Sequence, residues 1–425
     1  MKIKYAQIVK LLFLALSLII FANLNGVLRL TFGFVSLLSP IILILSIAII
    51  SMSVFVLKVS LKDINLIWLI VFYVCYLYIG TSSLLWSDYY LSERTSVLRL
   101  YRSYISSIVI LFAFYLGAKA IMMHYGYKSI YNYIFPFFIF TTCAVVFGEQ
   151  LGIYNSFEYM VEAQRGERSA GFFGNPNEAG SFANYALVIF LTLFFISKKK
   201  AVFIGLAGLA IAGSVLSFSK AAFIISTLMV LFFFFKNITF FHKSTQRTRI
   251  AFVTLIFGLI FGVFAFFNSS TGQKFELTRA QQKRIVGTLA LLSGEINEET
   301  TSDRTVVYSH GFGLIKRNPY IGHGIGTFHR FNSGNMKIGV HNTYILILGE
   351  SGILPILLFL GFYFMLIYRG LMITDAGLSF FIIGVTTIYM LGVAGTSHNA
   401  LDDRTSNALV SIILAILSYR KQCVE

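Results

Sequence analysis

The stretch RSAGFFGNPNEAGSFANYALVIFLTLFFI, from Arg168 to Ile196, changes from a glycine-rich approach to an almost wholly apolar run. The apolar part is long enough to cross a bilayer, which takes about 20 such residues. The Asn-Pro-Asn-Glu sequence predicts where that helix starts. Asn175 is the expected N-cap, Pro176 the first helical residue, and Glu178 is placed to reach back to the cap. The stretch therefore predicts a membrane span with an arginine just before its entrance.

The whole chain extends this pattern. Of its 425 residues 57% are hydrophobic and only 12% are charged, against about 25% charged in soluble proteins. We expect an all-α, polytopic membrane protein of about 12 transmembrane helices, forming one integral membrane domain over 1–425. The first span is expected to stay uncleaved, because no signal-peptidase site follows it. The spans are predicted near 8–24, 33–57, 64–85, 102–121, 130–150, 175–196, 201–217, 221–235, 250–267, 342–367, 377–396 and 405–419.

The distribution of basic residues predicts the orientation of these spans. The net charge of +16 is explained by cytoplasmic loops rather than by nucleic-acid binding. With the N-terminus inside, the cytoplasmic loops hold 17 of the 34 basic residues but only 3 of the 18 acidic ones. Both termini are therefore predicted to be cytoplasmic. Two outer-face loops, about 151–174 and the long 268–340, are then the candidate functional regions.

The first outer loop has the composition of a phosphate site. A helix N-terminus offers unpaired N–H groups and a partial positive charge, here at Asn175 and Asn177, and Arg168 adds a planar fork of donors. The alternative is a capped helix whose arginine contacts lipid headgroups. Lys220, predicted at the outer turn between the seventh and eighth spans, is a second candidate cation, with snorkelling towards the membrane surface as its alternative.

The long loop contains three further features. Gln273–Ser293 has helical spacing that fits either a membrane-surface helix or a solvated one. Arg304 is a candidate phosphate ligand, with a salt bridge to Asp303 as the alternative. The GHGIG sequence within Leu314–Phe328 predicts tight turns rather than a nucleotide loop, because no strand-turn-helix context surrounds it.

Neither the acidic loop at 402–404 nor the cysteines predict a metal site or a disulfide. Asp402, Asp403 and Arg404 are interpreted as a salt-bridged outer loop. The three cysteines suggest neither a disulfide framework nor a metal site. No cofactor and no metal are expected.

His341 opens the predicted tenth span on the outer side. On a continuous helix Gly352 would lie on nearly the same face as His341, and Glu350 roughly opposite. An ionisable residue inside a span is by default a functional hypothesis, although Glu350 could instead bind another helix.

The segments RSAGFFGNPNEAG, SFSK, NPYIGHGIGTF and HNTYILILGESGIL resemble the O-antigen ligase and polymerase superfamily. The resemblance implies a membrane glycosyltransferase that takes glycan from undecaprenyl diphosphate at the outer face of the inner membrane. It implies that Arg168 and Arg304 bind the lipid diphosphate and that His341 is catalytic. The family usually has Ser-Arg where this chain has Ser219-Lys220, and a small residue or tyrosine where Pro355 stands.

These expectations favour a metal-independent surface-polysaccharide polymerase acting on an O-antigen or capsule repeat unit. The alternatives are an O-antigen ligase, which passes the chain to lipid A-core, and a lipid-linked oligosaccharide flippase. The expected partners are an undecaprenyl-diphosphate-linked glycan, a lipid-linked or lipid A-core acceptor, and membrane lipids. A chain-length regulator protein is a further candidate partner.

Overall fold

Helices make up nearly all of the structure. This computed structural model describes residues 2–32, 38–85, 89–148, 170–243, 304–329, 331–333, 336–397 and 399–424. Its α-helices are α1 Lys2–Phe21, α2 Leu24–Phe32, α3 Leu38–Ser51, α4 Ile64–Leu85, α5 Tyr89–Tyr125, α6 Ser129–Cys143, α7 Pro176–Ile196, α8 Lys200–Leu216, α9 Lys220–Lys243, α10 Arg304–Ile315, α11 Thr343–Ser351, α12 Ile353–Met372, α13 Ala376–Thr387 and α14 Arg404–Val424.

Short irregular elements complete these helices. Single π-helical segments continue α3, α6 and α13, at Met52–Val56, Ala144–Gly148 and Ile388–Ala394. A 3₁₀ turn, Ala400–Asp402, precedes α14. The strands β1, Phe331–Ser333, and β2, Met336–Ile338, pair antiparallel, with Phe331 opposite Ile338. This small hairpin is the β-structure among the residues that the structure describes.

The predicted class, an all-α polytopic membrane protein, is confirmed. Among the described residues, eight helices are long and apolar enough to cross a membrane. Seven of them coincide with predicted spans, and the eighth, Ile353–Met372, overlaps the predicted tenth span only in part. The predicted seventh span is the shorter apolar helix Lys200–Leu216. The eighth and twelfth spans fall within α9 and α14, whereas the ninth, 250–267, lies outside the described residues.

The tenth span differs from its prediction. The expected continuous helix over 342–367 is two helices, α11 and α12, separated at Gly352. Gly352 has φ +76°, which ends α11, and a Cβ there would lie 2.0 Å from the carbonyl oxygen of Tyr320. Glycine is the residue that tolerates both conditions. The prediction that Gly352 shares a helix face with His341 was therefore wrong, and the membrane-length helix begins at Ile353.

The chain divides into two compact units. Unit 1 contains residues 1–141, 301–374 and 381–425, and unit 2 contains 142–300 and 375–380. The expectation of one integral membrane domain over 1–425 stays a prediction.

In unit 1, the long helix α5 packs against α1, α3 and α14, while α4 packs against α11 and α12. Aromatic rings fill the core, for example Phe114 edge-on to Phe13 and Phe21. Ionisable side chains are also enclosed there, among them Lys119. Lys119 is fully buried, and its Nζ donates to the Ser60 carbonyl and the Ser418 hydroxyl, both at 2.9 Å. These bonds offset the cost of burying the ammonium group.

In unit 2, α7 packs against α8 and α9. The packing is close because small residues meet at the crossing. A Cβ at Gly180 would lie 2.6 Å from the Cβ of Ala222 and 2.7 Å from the Ser217 hydroxyl. Asn184 then links α7 to α9 by donating its amide to the Ala222 carbonyl at 3.1 Å. The turn between α8 and α9 is thus held beside the first two turns of α7.

Candidate functional site

The predicted site residues fall into both units. Arg168 lies outside the described residues. Arg304 is the first residue of α10 in unit 1, and the structure describes its backbone only. His341 also belongs to unit 1. Asn175, Asn177 and Lys220 belong to unit 2.

The start of α7 has the predicted cap. Asn175 is the N-cap in an extended conformation, its side-chain oxygen accepts the backbone N–H of Asn177 at 2.9 Å, and Pro176 follows as the first helical residue. The remaining N–H groups of the first turn leave this end of the helix partly positive. Before it, Gly171 has φ +56° and lies against Val145.

Lys220 begins α9, two residues after Phe218, which has φ +46°. The left-handed residue turns the chain from α8 into α9, and Ser217 stabilises the turn by accepting the Ser219 N–H at 3.3 Å. Because Gly180 contacts Ser217 and Ala222, the half-buried Lys220 starts its helix close to the first turns of α7. Unit 2 thus brings Lys220 and the capped start of α7 into one neighbourhood.

His341 is exposed and immediately precedes α11. The N-cap is Asn342, whose side-chain oxygen accepts the N–H groups of Tyr344 and Ile345 at 3.0 and 3.1 Å. The backbone here is also anchored to its surroundings: Thr343 donates to the Ser397 carbonyl at 2.6 Å, and Tyr308 of α10 donates to the His341 carbonyl at 3.3 Å. These bonds fix the backbone that carries the imidazole.

The GHGIG sequence forms tight turns, as predicted. Gly322, Gly324 and Gly326 have φ of +73°, +100° and +93°. The turns wrap the C-terminal end of α11, where His323 and Gly324 donate their N–H groups to the carbonyls of Gly349 and Glu350 at 2.8 and 2.9 Å. Two more of the loop's amides bind a side chain. Gly326 and Phe328 donate to Glu350 Oε1 at 2.8 and 3.3 Å. The glycine-rich loop therefore binds the protein's own carboxylate.

Glu350 is the centre of a buried polar cluster that the sequence did not predict. Besides the two amides, it accepts the Tyr76 hydroxyl at 2.6 Å and lies 3.0 Å from His329 Nδ1. Tyr104 lies 3.3 Å from the Tyr76 hydroxyl and 3.4 Å from His329 Nε2. We call these four side chains, from Tyr76, Tyr104, His329 and Glu350, the Glu350 cluster. Glu350 is fully buried, and the four donors compensate for the loss of hydration.

The Glu350 cluster and His341 are connected by a short hairpin. Val340 donates its N–H to the Phe328 carbonyl at 3.0 Å, so the chain from Phe328 to Val340 returns to its starting point. His329 is the residue after Phe328, and His341 is the residue after Val340. The sequence offered one signal for the cluster, the ionisable Glu350 in an apolar run. It offered none for Tyr76 or Tyr104, which are two aromatics among many.

The acidic loop at Asp402 and Asp403 borders the cluster. Asp402 accepts the Ser103 hydroxyl at 2.7 Å, and Asp403 accepts the Ser406 hydroxyl and, at 3.0 Å, its backbone N–H. Burial raises the pKa of both carboxyl groups above its usual value, and the hydroxyl donors partly oppose that shift. In the loop that was predicted to be salt-bridged, the two carboxyl groups thus accept hydrogen bonds from serine hydroxyls. The positive charge of Arg404 favours the ionised form of Asp402.

One region of the chain matches a known protein family. Residues 185–360 match the family model described as O-antigen ligase. The match includes Lys220, Arg304 and His341, together with His329 and Glu350. No curated protein matches the chain.

Proposed function

We propose, from the match of residues 185–360 to the family described as O-antigen ligase, that the protein polymerises surface-polysaccharide repeat units at the outer face of the cytoplasmic membrane. The family match is the observation that carries this proposal. The eight membrane-length helices support it, because a lipid-linked substrate is presented at the bilayer surface. The proposed donor is an undecaprenyl-diphosphate-linked glycan.

The reaction needs charge stabilisation on the donor. As the bond between the anomeric carbon and the diphosphate breaks, its electron pair leaves with the lipid diphosphate. Arg168, Lys220 and Arg304 would hold that negative charge. The start of α7, with Asn175 and Asn177, would add its N–H groups and partial positive charge. Support for this arrangement comes from Lys220, which begins α9 close to the first turns of α7.

The acceptor must lose a proton in the same reaction. A hydroxyl oxygen of the acceptor sugar bonds to the anomeric carbon, and we assign its proton to the imidazole of His341. The exposure of His341 and the anchored backbone around it support this role. No step requires a metal ion.

The close alternative is an O-antigen ligase, which uses the same donor but transfers the finished chain to lipid A-core. The family description itself names a ligase. A deletion strain separates the two functions. We expect a single repeat unit on lipid A-core if the protein is a polymerase, whereas full-length chains that remain on undecaprenyl diphosphate would identify a ligase.

A flippase for lipid-linked oligosaccharides is the second alternative. Purified protein in detergent tests it, because transfer needs no membrane barrier and transport does. The expected result is elongation of the strain's own extracted lipid-linked repeat unit. Movement of that lipid across proteoliposomes, with no elongation in detergent, would contradict the enzyme proposal.

The proposal also fixes location and partners. The protein would be a multi-pass protein of the inner membrane, with both termini in the cytoplasm. Its acceptor would be a lipid-linked glycan, or lipid A-core for a ligase. A chain-length regulator protein would be an additional partner, since polymerisation alone sets no product length.

A further inference from the structure

We propose that His329 and Tyr104 form a subsite for a hydroxyl group of the acceptor sugar, and that Glu350 is the residue that positions His329. This inference rests on the proposed glycosyl transfer and deepens it, because it names the side chains that would bind the acceptor. The donor diphosphate is assigned to other residues.

The first step is the orientation of the His329 ring. Every group around the Glu350 carboxylate can donate: the Tyr76 hydroxyl, the backbone amides of Gly326 and Phe328, and His329 Nδ1. A carboxylate only accepts, so the hydrogen of the neutral imidazole lies on Nδ1. His329 Nε2 is then a hydrogen-bond acceptor directed away from Glu350.

The second step is the chemistry around Nε2. The Tyr104 hydroxyl lies 3.4 Å from Nε2, at the long end for a hydrogen bond. A sugar hydroxyl that approached could donate to Nε2 and accept from Tyr104, because a hydroxyl does both. The imidazole acceptor of His329 beside the phenol donor of Tyr104 therefore matches one sugar hydroxyl. That hydroxyl would replace the long contact between Tyr104 and His329.

The third step is charge, which separates this subsite from the diphosphate site. The Glu350 carboxyl group lies 3.0 Å from His329 Nδ1, and Asp402 interacts electrostatically with both His329 and Tyr104. Acidic side chains beside the subsite suit a neutral sugar better than a diphosphate, because they supply no positive charge to offset the phosphate oxygens. The electrostatics thus favour the acceptor.

The fourth step is location. The His329 side chain keeps 11% of its surface exposed, so a sugar hydroxyl would approach from the His329 side, while Tyr104 and Glu350 are buried behind that ring. The bond between Val340 and Phe328 keeps His329 at the base of the same hairpin that leads to His341. A sugar with one hydroxyl on His329 would be held next to the chain segment that carries the proposed base.

The test measures transfer onto a lipid-free acceptor, counted as product with a free reducing end, at a fixed concentration of the lipid-linked donor. The strain's own repeat unit, released from its lipid diphosphate by mild acid, is the probe, because it can accept but no longer donate. With the lipid-linked donor saturating, we expect His329→Ala and Tyr104→Phe to raise the KM for the probe about ten-fold, the worth of a lost hydrogen bond. The kcat should stay near wild type. If the deletion phenotype identifies a ligase, lipid A-core from the same strain replaces the probe.

Conservative and control variants sharpen the result. Glutamine can present an oxygen near the position of Nε2, so His329→Gln should recover most of the lost affinity. Tyr115→Phe removes a buried hydroxyl from the same helix as Tyr104, where it bonds Asp63 and Ser418 instead, and should leave the KM unchanged. Glu350→Gln should raise the KM, but should add little in the His329→Ala background, because Glu350 acts through that ring.

Three outcomes would overturn the subsite: an unchanged KM in His329→Ala, a loss confined to kcat, or a glutamine variant as weak as alanine. Binding of undecaprenyl diphosphate, without sugar, checks that each variant is folded and should be unaffected. Direct binding of the released repeat unit to wild type and His329→Ala tests the subsite without turnover. Equal affinities of wild type and His329→Ala would therefore refute the subsite. If the wild-type protein itself transfers no glycan, the proposed function is refuted instead.

Discussion

Val340 donates its backbone N–H to the carbonyl of Phe328 at 3.0 Å, and this bond joins the two ends of the segment between His329 and His341. Both histidines are therefore positioned by one hairpin. Their surroundings differ, because His329 is held by Glu350 whereas His341 is exposed. Two imidazoles with such different environments are expected to respond differently to the same substitutions.

His341→Ala should lower transfer by roughly 10²–10⁴-fold, the usual contribution of one general acid–base group. The protein should still fold, because an exposed side chain contributes little packing, and undecaprenyl diphosphate should still bind. His341→Gln should be no better than alanine, since an amide cannot take the proton. Turnover of the extracted lipid-linked repeat unit is the measurement, and near-normal activity of the glutamine variant would exclude His341 as the base.

Arg168→Ala and Arg304→Ala should each weaken use of the lipid-linked donor by about ten-fold or more, because charge-assisted hydrogen bonds contribute about 1.5–3 kcal/mol. Lysine at either position should restore activity only in part, since it lacks the bidentate fork. The exposed Lys316 follows α10 and serves as the matched control, with Lys316→Ala expected to be neutral. Unchanged donor affinity in both arginine variants would refute the phosphate role.

Lys220→Ala should reduce donor use to a similar extent, because its charge begins α9 next to the first turns of α7. Lys220→Arg restores the residue usual in the resembled family and should retain activity. Donor KM is the readout for both. An alanine variant with normal KM would limit Lys220 to contacts at the membrane surface.

The predicted orientation is tested by labelling. With the three native cysteines replaced, a cysteine at Ser302 should react with an impermeant thiol reagent added outside the cell. A cysteine at Ser244 should react only after the membrane is opened. The reverse pattern would place the loops on the other side and contradict every outer-face assignment.

Gly352→Ala should destabilise the protein by at least about 1–3 kcal/mol, the cost of an unfavourable backbone conformation. Its φ of +76° and the nearby Tyr320 carbonyl both exclude a Cβ. Gly205→Ala in α8 is the control, because open space surrounds that position and alanine favours a helix. Thermal unfolding in detergent is the measurement. Equal midpoints for the two variants would show that the break between α11 and α12 does not depend on glycine.

The sequence alone determined the membrane class, the positions of seven of the eight membrane-length spans and the capped start at Asn175. These features are local, since a bilayer selects apolar runs of a given length and a cap involves residues two or three apart. The sequence also identified His341 and Glu350 as residues of interest. Arg168 and the long segment 244–303 lie outside the described residues, so the predictions there stay predictions.

Only the tertiary structure decided what Glu350 does. Its partners Tyr76 and His329 lie 274 and 21 residues away in sequence, and no periodic pattern connects them. The break at Gly352 was also missed, because an apolar helix pattern continues through it while the strain that selects glycine comes from the distant Tyr320 carbonyl. The hydropathy of a residue describes only its preference for lipid over water. A buried carboxylate must instead find donors wherever the packed helices and turns bring them, and that is a property of the folded chain.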